Sequence, residues 1–89
     1  METKFPLGRI LATPGIQASL SDADKFKCLF RHASGDWGTL CPEDDEANRL
    51  ALVEGGRLFS VYYSNEGQKF WIITEADRSA TTFLLPEEY

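Results

Sequence analysis

The residues of this chain best suited to chemistry gather at Arg31-His32-Ala33-Ser34-Gly35-Asp36-Trp37-Gly38. His32 is the sole histidine, and Asp36 follows closely enough for an imidazole–carboxylate hydrogen bond, the arrangement in which an enzyme orients a general base. Glycines on either side of Asp36-Trp37 allow a sharp bend that exposes the indole or inserts it. A second set lies in Glu75-Ala76-Asp77-Arg78-Ser79-Ala80. Asp77 suits the backbone amides of a tight turn, and Arg78 offers a planar fork of donors that fits a carboxylate or phosphate. A catalytic site made of His32, Asp36, Asp77 and Arg78 requires all four in one concave pocket. No nucleophile or phosphate-cradling glycine loop accompanies them, so the expectation is a non-catalytic protein. In that reading Asp36 caps a helix end or loop, His32 satisfies a local carbonyl, Trp37 fills the core, and Asp77 and Arg78 tie their turn to a neighbouring helix or terminus. Any of Asp36, Trp37, Asp77 and Arg78 that reaches the surface is a candidate for partner contact.

Two further sets carry weaker signals. Cys28 and His32 are four apart and share a helix face, with Cys41 as a conceivable third ligand. Three ligands leave a metal under-coordinated, and reduced thiols with no metal and no cofactor are expected. The run Glu43-Asp44-Asp45-Glu46 resembles a string of phosphates to a basic partner, although the start of a helix is also where acids complement the macrodipole. These four residues are the principal candidates for binding a larger protein with a basic surface.

The elements that must position these groups follow from periodicity. Arg57 to Pro86 reads as a three-strand antiparallel meander: Arg57–Ser64, then Lys69–Thr74, then Thr81–Leu85, ended by Pro86. Alternation places Phe59, Val61 and Tyr63 opposite Leu58, Ser60 and Tyr62, and Phe70 and Ile72 opposite Trp71 and Ile73. Phe59, Val61, Phe70 and Ile72 are expected in the core. Asn65 and Gly67 supply the positive φ of a hairpin. Leu7–Ala12 can run extended as a fourth strand. Thr13-Pro14 opens a short helix to about Leu20, with Ile16 and Leu20 inward. Ser21 caps a second helix whose stripe of Ala23, Phe26, Leu29, Phe30 and Ala33 predicts a buried face. Pro42 opens a third, to about Glu54, with Ala47, Leu50, Ala51 and Val53 inward and Asp45 paired with Arg49. The fold class expected is α+β, one domain with a three- to four-stranded antiparallel sheet packed against two to three helices.

Composition limits the function. The 89 residues, with two Trp, six Phe and three Tyr, suffice for one core. A formal charge of −5 with scattered Lys and Arg argues against direct nucleic-acid binding, which needs a basic patch to displace counterions. No apolar run approaches the length of a membrane span and no charged-then-apolar leader is visible, so a cytoplasmic location without membrane contact is the default expectation.

His32–Gly38 (HASGDWG), Glu43-Asp44, Asn48, Gly56-Arg57, Ser60 and Trp71–Tyr89 (WIITEADRSATTFLLPEEY) together resemble a family of short bacterial proteins carried on plasmids, phages and integrated mobile elements. The resemblance covers most of the chain from Leu7 onward. Its motifs are specific to the family and not to any chemistry, and it implies no activity or cofactor. It does imply an accessory role, and with the acidic charge it suggests a counter-defence inhibitor, anti-CRISPR or anti-restriction, that binds a nucleic-acid-binding protein.

Overall fold

Local cap chemistry sets the helix starts in the computed structural model, which describes residues 3–89. Strand β1 (Arg9–Ala12) leads into helix α1 (Pro14–Ser19), whose N-cap Thr13 accepts the Ile16 amide. Helix α2 (Asp22–Ala33) is capped by the Ser21 hydroxyl on the Asp24 amide at 3.1 Å, with Asp22 and Asp24 in its first turn. Helix α3 (Pro42–Glu54) begins on a proline whose missing N–H costs nothing at that position, and stops at Gly55. Strands β2 (Leu58–Tyr63), β3 (Lys69–Thr74) and β4 (Ala80–Leu84) follow, and a single 3-10 turn (Pro86–Glu88) closes the chain's last segment. The protein is α+β, as the sequence predicts.

The sheet order is β1-β4-β3-β2, with β2/β3 and β3/β4 antiparallel. The sheet is nevertheless mixed, not purely antiparallel, because β1 runs parallel to β4. A hairpin forces its strands to oppose one another, but three helices and two strands separate β1 from β4, so the connection leaves its direction free. The pairing is fixed at both ends by Arg9 N–H to Ser79 O at 3.0 Å and Thr13 N–H to Phe83 O at 3.1 Å.

Register assigns the faces. Leu58, Ser60 and Tyr62 stand opposite Thr74, Ile72 and Phe70, and Ile72 and Thr74 stand opposite Phe83 and Thr81. These side chains form the helix-covered face, where Tyr62, Phe70, Ile72 and Phe83 pack with Ile16, Leu20 and Cys28. Phe59, Val61, Trp71, Ile73 and Leu84 occupy the second face. Of the four residues expected in the core, Phe70 and Ile72 are buried on the first face and Val61 on the second, with Phe59 half-buried. Alternation fixes which residues share a face within a strand, and pairing decides which strands' faces coincide.

Two helix faces differ from expectation. In α2 the inward residues are Asp24, Cys28, His32 and Ala33, with Leu29 partly buried, while Phe26 is 73% and Phe30 51% exposed. The helix is turned by roughly one residue's step, about 100°, from the face its hydrophobicity predicts. Polar partners account for the rotation: His32 and Asp24 meet hydrogen-bonding groups on the sheet and its hairpin, including the Asn65 amide on Asp24 Oδ2 at 3.4 Å. In α3 the buried residues are Asn48 and Ala51, whereas Ala47, Leu50 and Val53 face outward. Arg49 pairs with Glu46, not with Asp45.

The α3 result has a backbone cause. β2 is an outer strand, and an open edge presents unpaired amides and carbonyls. Asn48 closes part of it, donating Nδ2–H to Phe59 O at 2.7 Å and accepting Phe59 N–H on Oδ1 at 3.0 Å. The neighbouring position is closed by the Asp36–Thr39 loop, where Val61 N–H donates to Trp37 O at 3.1 Å and Thr39 N–H to Val61 O at 2.9 Å. Asn48→Ala strips both partners from Phe59 and is expected to cost about 2 kcal/mol, measurable as a lower urea midpoint at unchanged slope.

Candidate functional site

The imidazole and the proposed base partner do not meet. His32 has no exposed surface; its Nδ1 lies 2.5 Å from Ser60 Oγ and its Nε2 2.9 Å from Thr74 Oγ1. Thr74 Oγ1 in turn lies 2.8 Å from Thr81 Oγ1, and the Thr81 hydroxyl donates to Leu7 O at 2.7 Å. Each hydroxyl has one proton, so the carbonyl at the end of this chain sets its polarity. Thr81 gives its proton to Leu7, Thr74 gives its proton to Thr81, and His32 must donate Nε2–H to Thr74 while Nδ1 accepts from Ser60. Every member is satisfied by a neutral imidazole. Burial agrees, pushing the His32 pKa down from 6.5 to about 3. The rings of Phe5 and Trp37 close the remaining sides at centroid distances of 5.4 Å each. His32 is a cross-sheet core residue bonded to hydroxyls rather than to the local carbonyl expected.

Asp36 is instead held by Arg31, whose Nε–H donates to Oδ2 at 2.8 Å and Nη2 to Oδ1 at 3.3 Å, with the Gly38 amide on Oδ1 at 3.2 Å. The guanidinium holds this carboxyl below the usual carboxylate range. Arg31 also lies over the Tyr62 ring at 4.8 Å, and the Tyr62 hydroxyl donates to Asp36 O at 2.6 Å. Gly38 brings the loop against β2 at φ +76°, where a Cβ would overlap the Val61 carbonyl. Trp37 is buried at 8% exposure, so its indole belongs to the core and not to a partner surface.

At the other candidate turn, Asp77 is exposed and accepts the Ser79 amide at 3.0 Å. Arg78 turns inward and donates to four carbonyls: Gly56 O at 2.5 Å, Ala51 O at 3.0 Å, Glu75 O at 3.1 Å and Ala76 O at 3.3 Å. It ties the β3–β4 turn to the C-terminal turn of α3, as the turn chemistry predicts. Its guanidinium lies 5.8 Å from the Phe5 ring, whose edge-on neighbour is His32. Phe5 thus stands between the two residues, and none of His32, Asp36, Asp77 or Arg78 lines the pocket around Trp71, the groove between β1 and α2 or the hollow at the C-terminal end of α3.

The acidic quartet presents a different picture. Glu43, Asp44, Asp45 and Glu46 are all exposed on the first turn and a half of α3. Glu46 pairs with Arg49, and among the described residues Glu43, Asp44 and Asp45 have no cationic partner. The Cys41 thiol donates to Asp44 Oδ2 at 3.3 Å. Backbone and thiol hydrogen bonds hold the Glu43 carboxyl below its ordinary value. Cys28 is buried and Cys41 exposed, and among the described residues no three His, Cys, Asp or Glu side chains cluster as metal ligands.

Sequence reasoning missed the concave surfaces, the clearest of them on the second sheet face. Arg57, Phe59, Trp71, Ile73 and Tyr89 line an open apolar pocket of about 240 Å³ on the second sheet face. Trp71 meets Phe59 edge-on at 5.1 Å and Tyr89 at 5.6 Å, and Arg57 donates to the Tyr89 hydroxyl at 3.0 Å. The signal was the outward alternation of Phe59 and Trp71, which marks an apolar second face without saying what covers it. Together these features define a small mixed-sheet α+β domain whose sole histidine is internal and whose densest run of exposed carboxylates lies at the start of α3. Compared with known protein families, curated proteins and solved structures, the chain matches none.

Proposed function

We propose that this chain is a non-catalytic interaction domain that presents the start of α3 to a larger protein with a basic surface. The observation that carries the reading is the joint exposure of Glu43, Asp44 and Asp45 without cationic partners, at the end of the domain's most acidic helix. Their free charge steers the domain toward a surface that must be basic to bind nucleic acid. The resemblance to mobile-element proteins narrows this to a counter-defence inhibitor of a CRISPR or restriction component. The domain itself carries net negative charge and is not expected to bind nucleic acid directly. Among the described residues no helix is long and apolar enough to cross a membrane.

A test uses the wild type and a Glu43→Lys, Asp44→Lys, Asp45→Lys variant as baits in host lysate, with eluted proteins identified by mass. The expected result is a nucleic-acid-binding protein retained by the wild type at low salt, and released both by high salt and by the charge reversal. Equal retention of the same protein by the folded variant at low salt removes the acidic surface from the reading. A second reading, a structural or regulatory module, draws on the internal positions of Trp37 and Arg78, whose chemistry is spent within the fold.

A further inference from the structure

The two edges of the sheet are finished differently. Asn48 and the Trp37–Thr39 backbone close β2, but β1 at the opposite edge has no such cover. Arg9 and Thr13 send their amides to β4, so the alternation of the ladder turns the amide and carbonyl of Ile10 and the amide of Ala12 outward. Among the described residues, the Gln17 side chain on Ala12 O at 3.3 Å is the one hydrogen bond along this outer line. Large exposed apolar side chains lie beside it, Ile10 at 48%, Leu11 at 39% and Phe26 at 73% exposure, and Phe30, one turn on from Phe26 along α2, is 51% exposed. Between β1 and α2 runs a groove of about 170 Å³, lined in part by Ile10, Phe26, Leu29 and Phe83.

We propose that two copies of this chain associate through antiparallel pairing of their β1 strands, making one continuous eight-stranded sheet. Pairing centred on Leu11 sets Ile10 of each copy opposite Ala12 of the other, where the outward amides and carbonyls complete one another. A two-fold axis normal to the sheet keeps the helices of both copies on one side and brings the Phe26 and Phe30 ridge of each α2 toward its counterpart. An open strand edge calls for a strand, and the same two elements supply both the apolar ridge and the groove that receives it.

Charge selects a second copy over a basic partner. Lys25 is paired with Asp22 at 3.3 Å, so the groove is close to neutral within a chain of charge −5. The unpaired acids of α3 lie at the β2 edge, about 14 Å away across three strand spacings, which exceeds the Debye length of about 8 Å. Two copies therefore meet at a groove whose one acid and one base are paired with each other, away from the acidic start of α3. This inference stands apart from the reading of the α3 surface and fails or survives separately.

Sedimentation equilibrium of the wild type from micromolar to millimolar concentration is expected to approach twice the 10.0 kDa chain mass. Phe26→Glu, at an exposed position that leaves the core intact, is expected to raise the dimer Kd at least about tenfold, whereas Val53→Glu on α3 leaves it unchanged. Hydrogen exchange at the Ile10 and Ala12 amides slows as concentration rises. A wild type that stays monomeric throughout overturns the proposal, as does a dimer that survives Phe26→Glu or that dissociates on Val53→Glu. Protection of those two amides only when the protein captured by the α3 surface is added assigns the edge to that partner and likewise overturns it.

Discussion

His32→Ala is expected to remove about 3 to 5 kcal/mol of stability, much of what a domain of this size possesses. The substitution empties a fully buried site and takes the partner from both Ser60 and Thr74, whose hydroxyls then face Phe5 and Trp37. A histidine bonded only to a local carbonyl, as the sequence suggests, would be replaced at smaller structural cost than one buried across the sheet. pH gives an independent readout. With a folded pKa of about 3 against 6.5 in the unfolded chain, His32 contributes stability in full above pH 6.5, and that contribution is lost as pH falls toward 3. The limiting slope implies about 4 to 5 kcal/mol across the window. Asp36, Glu43, Asp77 and Glu88, whose carboxyls are held below their usual range, add losses of the same sign toward the acid end. Urea titrations between pH ~6.5 and ~5.5, above the ordinary carboxylate range, therefore report mainly the histidine. His32→Gln, which can donate to Thr74 and accept from Ser60 without titrating, should flatten the slope. A wild type equally stable at both limits would falsify the neutral-network assignment.

Arg78→Ala should be the next most damaging change, at about 3 kcal/mol, because four carbonyls lose their donor at once. One of them, Ala51 O, belongs to the last turn of α3, where the helix dipole favours a cation. Arg78→Lys keeps the charge but concentrates it at one point, and should recover less than half of the loss. Arg78 also sits at φ +62°, a region glycine enters without penalty, so Arg78→Gly should be less harmful than Arg78→Ala by up to about 1 kcal/mol. Thermal or urea unfolding of the three variants checks the order. Lysine indistinguishable from arginine would mean that the fork geometry is irrelevant.

What could be read before any coordinates were local. Thr13, Ser21, Pro14 and Pro42 announce helix starts through groups within four residues, and the helices begin there. The meander was legible because its turns are short and its strands alternate. The direction of β1 was not, since its partner lies about 70 residues away and no turn residue encodes the pairing. Nor was the inner face of α2. Hydrophobicity ranks Phe26 and Phe30 above His32 and Asp24, and only the sheet's hydroxyls and the hairpin amide make the polar pair the better buried choice. For the candidate site, the acidic run was visible and lies exposed, and the sequence also anticipated the tie of Arg78 to a neighbouring helix and the core position of Trp37. The particular carbonyls and strand each meets depend on contacts with β2 and α3 that no spacing reveals.

The parallel seam between Arg9–Ala12 and Ala80–Phe83 also bears on how the protein is made. At a synthesis rate of about 5–20 residues per second, the first strand waits several seconds on the ribosome before its only neighbour in the sheet is even polymerised. During that interval Ile10 and Leu11 have no sheet partner, so the first strand enters the sheet only once residues 80–83 have been made.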